Sequence, residues 1–155
     1  MSLREEKKAA TRCAISEATA ALLLEEGTAA TTVARVSERT GVSTRTFHNY
    51  FADIDEALEA FLRKVFSAIA EQLAALPAEL SAAEAIEAII IDALNEDGFE
   101  LYSASTLVLL GDRARAEAAA PPAEETVREI AEPLVASVRG RTPGATPFDA
   151  EVLLN

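Results

Sequence analysis

Residues 32–51, TVARVSERTGVSTRTFHNYF, restrict the possible folds more than any other stretch of this chain. Thr32 has an N-cap side chain, able to accept a free backbone N–H, and Val33 and Val36 follow three apart on one helical face. Gly41 ends that helix, because a sharp turn there calls for positive φ, and Val42 can then drop its side chain between two helices. Ser43 opens the next helix as a second N-cap. Phe47, Tyr50 and Phe51 recur at i, i+3 and i+4, which predicts one buried face and leaves Thr44, Arg45, His48 and Asn49 outside. Such a face has donors, acceptors and a guanidinium fork, the groups needed to read base edges and grip phosphates. The segment therefore reads as a helix-turn-helix.

Around it, the run from Thr11 to Leu58 resembles the amino-terminal domain of the TetR family of transcriptional repressors. The resemblance is carried by TRCAISEATAALLLEEG, ATTVARVSERTGVSTRTFHNYF and DIDEAL, with the T-V entry, the G-V-S turn and the T-F-x-x-Y-F helix in the family's order and spacing. It covers about a third of the chain. The resemblance implies an all-α protein: a three-helix DNA-binding domain over residues 1–52, then a helical ligand-binding and dimerisation domain over 53–155. It also implies a long fourth helix joining the two, a homodimer on operator DNA, and a small-molecule effector.

The resemblance assigns Thr32, Thr46, Asn49 and Tyr50 to positions that hold the DNA backbone. For Thr32 the capping role suffices by itself, although a cap hydroxyl also suits a phosphate oxygen. His48, the sole histidine, falls where the family touches DNA, and charge gained near phosphate would make binding pH-sensitive; the plain alternative is a surface histidine. Arg45 is the leading base reader, since a guanidinium can pair guanine O6 and N7, with a phosphate clamp or a solvated arginine as alternatives. Thr44 is a second base-edge candidate, and Ser43 completes the DNA-facing set. Phe47 and Phe51 are read as core, not as intercalating wedges. Ile54 departs from the family's F-x-x-K pattern, and isoleucine cannot hold a phosphate. Lys7, Lys8 and Arg12 on the first helix are candidates to compensate, with surface solvation as an equal account.

Charge agrees with this division of labour. Residues 1–51 hold seven Lys/Arg against six Asp/Glu, a net of +1, while residues 52–155 hold seven against twenty, a net of −13, giving −12 in all. A phosphate backbone would repel the second portion, so DNA contact is expected in the first third alone. The acidic total, Ile54 and the incomplete dimer region support a rival reading, a helical protein-interaction module that has kept the fold and abandoned DNA.

Further along, periodicity predicts a first helix over about residues 5–26 carrying Ile15, Ala18, Leu22 and Leu23, with Gly27 past its end. Asp53 and Glu56 sign the start of a fourth helix with Leu58, Phe61, Leu62, Val65, Phe66, Ile69, Leu73 and Leu76 on its stripe, stopped by Pro77. Ser81 and Glu84 repeat the device before Ile86, Ile89, Ile90, Ala93 and Leu94, which predicts a central fifth helix with a wide apolar face. Further helices are expected over 99–110, at RARAEAAA, and through Val127, Ile130, Ala131, Leu134, Val135 and Val138, the last kinked at Pro133. GRTPGATP reads as a loop. PFDAEVLLN begins a helix near where the resemblance places the first dimer helix, so a chain cut short is expected, with a different mode of dimerisation as the alternative.

No enzyme is expected. One histidine and one cysteine cannot build a His/Cys metal cluster, no phosphate-cradling glycine loop or nucleophile elbow is present, and no metal or cofactor is expected. Glu96 with Asp97 and Glu124 with Glu125 read as solvated helix ends. Cys13 reads as a small boundary side chain, its thiol available at most to a weak activation by Arg12. Tyr102, Ser105 and Thr106 are candidate polar groups for an effector pocket, with satisfied core hydroxyls as the plainer account. With no disulfide possible, no apolar run of membrane length and no secretory leader, the cytoplasm is the expected compartment.

Overall fold

A computed structural model describes residues 2–95 and 124–141 together with Thr106 and Leu110. All the described regular structure is helical: α1 (Leu3–Glu26), a 3-10 turn (Thr28–Ala30), α2 (Val33–Thr40), α3 (Thr44–His48), α4 (Ile54–Ala75), α5 (Ala82–Asn95) and α6 (Glu124–Gly140). Two compact units divide the chain. Among the described residues the first holds 2–62 and Leu110, and the second holds 63–95, Thr106 and 124–141.

In the first unit α1 begins at a capping box: the Ser2 hydroxyl accepts the Glu5 N–H at 3.3 Å, and the Glu5 carboxylate accepts the Ser2 N–H at 2.7 Å. The Ser2 backbone N–H, and after it the Ser2 side chain, hold the Glu5 carboxyl below its usual range. The helix ends on Gly27, at φ 84°. Ile15, Ala18, Leu22 and Leu23 are buried along the expected stripe. Ser16 and Thr19 join them because each hydroxyl donates to a carbonyl one turn back, Cys13 at 2.9 Å and Ile15 at 2.8 Å. Ile15, Ala18 and Leu22 pack with Val36, Phe47, Phe51, Ala57 and Ala60 into one core, against which Val33, Val42, Tyr50 and Ile54 lie half-buried.

Asp53 caps the start of α4 as expected, its Oδ1 accepting the Glu56 N–H at 2.9 Å. The Glu56 carboxylate reaches one residue further back than a capping box requires and accepts the Ala52 N–H at 2.6 Å. On α4, Phe61, Val65, Ile69 and Leu73 are buried with Ala57 and Ala60. Leu58, Leu62, Phe66 and Leu76 are half-buried.

The second unit departs from expectation on α5. Its capping box forms as predicted, with the Ser81 hydroxyl accepting the Glu84 N–H at 3.3 Å and the Glu84 carboxylate accepting the Ser81 N–H at 2.9 Å. The buried face, however, is Ala82 and Ala85; Ile86 and Ile89 are half-buried, while Ile90 and Ile91 are 46% and 50% exposed. A helix with that profile is not central, because its small residues face inward and two of its isoleucines face outward. On α6, Ile130, Leu134, Val135 and Val138 are buried as expected, Ala131 is half-buried, and Val127 is 47% exposed. Pro133 stands inside the helix. Arg141 follows α6 and donates to the carbonyls of Pro77 and Leu76, each at 2.7 Å, and to that of Leu73. These carbonyls lie at and just past the end of α4, those of Leu73 and Pro77 also accepting the N–H groups of Leu76 and Leu80 at 3.3 Å each, and a cation there meets the negative end of the helix dipole. Ser137 adds a bond to the Ala70 carbonyl at 3.3 Å, and Arg63 pairs with Glu129 at 3.2 Å.

Thr106 is fully buried. Tyr102, Ser105, Glu96, Asp97, the RARAEAAA segment and the expected elements after Arg141 lie outside the described residues.

Candidate nucleic-acid interface

The turn between α2 and α3 is set by backbone bonds. Gly41 adopts φ 68°, ψ 21°, its N–H donates to Glu38 O at 3.2 Å, and the Val42 N–H donates to Ser37 O at 3.0 Å. That pair of bonds closes the C-terminus of α2 and directs Val42 onto the core. The Thr32 hydroxyl accepts the Arg35 N–H at 3.3 Å, as its capping role requires.

On α3 the Ser43 hydroxyl accepts the Thr46 N–H at 3.0 Å and shares a 2.8 Å hydrogen bond with the Thr46 hydroxyl. Two of the residues expected to face DNA therefore organise the helix start as well. Phe47 and Phe51 are buried, with ring centroids 6.0 Å apart, and Tyr50 is half-buried against the same core. Thr44, Arg45, His48 and Asn49 are exposed, as are Thr32 and Ser43; Thr46 is half-buried. The His48 ring stands edge-on to Phe47 at 5.4 Å and 82°, so packing restricts its orientation while its nitrogens remain outside. The short helix thus turns its aromatic side inward and its polar side to solvent. A model of the amino-terminal domain described as "Bacterial regulatory proteins, tetR family" matches residues 15–61.

Residues 15–61 are thus similar to the amino-terminal domain of that family. The chain's helical order also recurs in a solved structure, the candidate transcriptional regulator SCO7518 from Streptomyces coelicolor A3(2). That structure is 24% identical over 93% of this chain and 83% of its own, with a TM-score of 0.63, a likeness of fold. No curated protein matches the chain.

Within the segment similar to that family, three arrangements were not legible from periodicity. The Arg12 guanidinium lies 4.5 Å from the centroid of the Phe51 ring, so it tethers α1 to the connection between α3 and α4 as a cation over an aromatic face. Ile54 takes the place of a lysine because its side chain extends the core. On α2, Arg35 Nη2 donates to both carboxylate oxygens of Glu26 at 2.8 and 2.9 Å. Arg39 donates from both terminal nitrogens to Glu25, at 2.6 and 2.8 Å. The hydrogen bonds from Arg39 hold the Glu25 carboxyl below its usual range, and the same bonds raise the Arg39 guanidinium. The Cys13 thiol is also engaged, with Sγ 2.9 Å from Glu17 Oε1. Among the described residues no group of His, Cys, Asp and Glu could hold a metal ion. No described helix is long and apolar enough to cross a membrane.

Proposed function

We propose that the chain is a DNA-binding transcriptional repressor that acts as a homodimer, placing two copies of α3 in successive major grooves of a palindromic operator, about 34 Å apart. The observation that carries this reading is the division of α3 and the turn after it, with Phe47 and Phe51 buried while Thr44, Arg45, His48 and Asn49 are exposed. In this reading Arg45 and Thr44 read base edges. Thr32, Ser43, Thr46, Asn49 and Tyr50 hold the backbone, and His48 contacts DNA beside them. Residues 1–52 form the DNA-binding domain and 53–155 the regulatory one. A small-molecule effector bound in the latter changes the tilt of α4 and favours an arrangement that cannot span the operator.

Selection of bound fragments from a random DNA pool with the intact protein tests the proposal. Enrichment of an inverted repeat is expected. Arg45→Ala should then lose about 1 to 3 kcal/mol of binding to the selected site and relax one position of each half-site. Uniform loss without relaxation moves Arg45 to the backbone. No binding to any duplex even at low salt overturns the reading in favour of a helical protein-interaction module.

A further inference from the structure

The two arginines of α2 bear on how tightly such a domain holds DNA of the wrong sequence, an inference that rests on the DNA-binding reading above. Of the seven basic residues in residues 1–51, Arg35 and Arg39 are two, and each is bonded to a neighbouring carboxylate at the end of α1. The Arg39–Glu25 contact is a fork on a fork, which fixes the guanidinium plane. Arg35 leads out of the first turn of α2, its own N–H held by the Thr32 cap hydroxyl, beside the residue expected at a phosphate. A cation matched to a carboxylate presents little net charge to DNA, so it adds less to phosphate attraction than an unpaired one.

We propose that Glu25 and Glu26 are specificity-determining residues: by holding Arg39 and Arg35 they withhold two positive charges from the phosphate backbone and lower affinity for DNA of any sequence. The charge balance favours this device. With both pairs closed, the remaining bases of the segment are Arg4, Lys7, Lys8, Arg12 and Arg45, against Glu5, Glu6, Glu17 and Glu38. Base reading at α3 then supplies a larger share of the total, and the ratio of operator to random binding rises. Surface ion pairs contribute little to folding, so a stability role is a weak reason for two adjacent ones.

The test is a thermodynamic cycle on the full-length protein with a random-sequence duplex as probe, titrated across a salt series. Glu25→Gln/Glu26→Gln is expected to tighten binding and to steepen the slope of log K against log salt by about 1 to 2 units. Arg35→Gln/Arg39→Gln in the parent should lower the slope by no more than its loss of two charges accounts for, the size that Glu6→Gln/Glu38→Gln shows with opposite sign, whereas the same change added to Glu25→Gln/Glu26→Gln should cancel the gain. Glu6→Gln/Glu38→Gln adds equal charge to the same helices without releasing an arginine and should steepen the slope less. Far-UV melting of each variant verifies that it is folded.

A slope lowered by Arg35→Gln/Arg39→Gln in the parent by more than Glu6→Gln/Glu38→Gln raises it overturns the inference, because the arginines would then already act on phosphate. Equal effects of the two acid pairs also overturn it, the change being net charge alone. If the parent selects an operator while Glu25→Gln/Glu26→Gln matches the parent on random DNA, the mask fails and the repressor reading stands. If neither binds any duplex, both fail.

Discussion

At the scale of single residues, the glycine at the α2–α3 turn has one conformational job. Gly41 holds φ 68°, and a Cβ built there meets nothing within 4 Å, so an alanine is penalised by its backbone and not by a clash. Gly41→Ala is therefore expected to cost about 1 to 2 kcal/mol in thermal or denaturant unfolding, with Gly41→Asn closer to the parent because asparagine tolerates the left-handed region better. A loss much larger than this in the alanine variant contradicts the open space around the turn. This position was legible in the sequence because the constraint is local: a glycine between two capped helical runs announces its own φ. The same holds for Thr32 and Ser43, whose cap bonds form as read. The role of Arg12 was not legible, since Phe51 lies 39 positions away and no periodicity links a surface arginine on one helix to a ring beyond another. Arg35 with Glu26 and Arg39 with Glu25 escaped for the same reason, at separations of 9 and 14 residues.

Whole elements show how far pattern reading reaches. The stop of α1, both ends of α2 and the start of α3 followed from caps and glycines, which act within four residues; the Ser2 cap that starts α1 was not read, and α3 ends at His48, short of the Tyr50 and Phe51 that periodicity placed on it. The buried face of α5 did not, because hydropathy ranks Ile90 and Ile91 above Ala82 and Ala85, while burial depends on which side another helix can approach. Alanines allow the closer approach, and the isoleucines are left outside. The start of α5 carries a pH-dependent contribution all the same. Hydrogen bonds from the Ser81 hydroxyl and then its backbone N–H hold the Glu84 carboxyl below its usual range. A carboxyl depressed in the folded state stabilises above its unfolded pKa, and that contribution is lost as pH falls through the lower folded value. Glu84→Gln should accordingly lower the melting temperature at neutral pH and narrow the difference between neutral and acidic melts, measured by calorimetry across that range. At the far end of α4, Arg141 supplies a cap from a distant part of the sequence, satisfying the carbonyls of Leu73, Leu76 and Pro77. Arg141→Ala is expected to cost about 1 to 2 kcal/mol, with Arg141→Lys recovering part of the charge but not the three-way geometry. Equal stability of Arg141→Ala and the parent in urea would remove the cap from consideration.

For the molecule as a whole, charge limits how DNA binding responds to salt. Residues 52–155 carry a net of −13 and residues 1–51 a net of +1, so on the proposed DNA-binding reading the acidic portion would repel a duplex at low ionic strength. Added salt screens that repulsion and the attraction alike, the Debye length being about 10 Å at 0.1 M, and the observed salt slope is the attraction less the repulsion. Ile54 lowers the attraction further, because the position that would hold a lysine in the family's pattern is spent on the core. Ile54→Lys should restore one phosphate contact and steepen the slope by about 0.9 units, while the partly buried site gives up about 1 to 2 kcal/mol of stability despite the lysine stem lying over the apolar surface. Both quantities come from one variant, through a salt series of operator binding and a melting curve. If stability falls and the slope does not move, position 54 serves only the core and the phosphate contacts come from α2, α3 and the start of α1; if the slope steepens as expected, the isoleucine marks a trade of one DNA anchor for a better-filled interior.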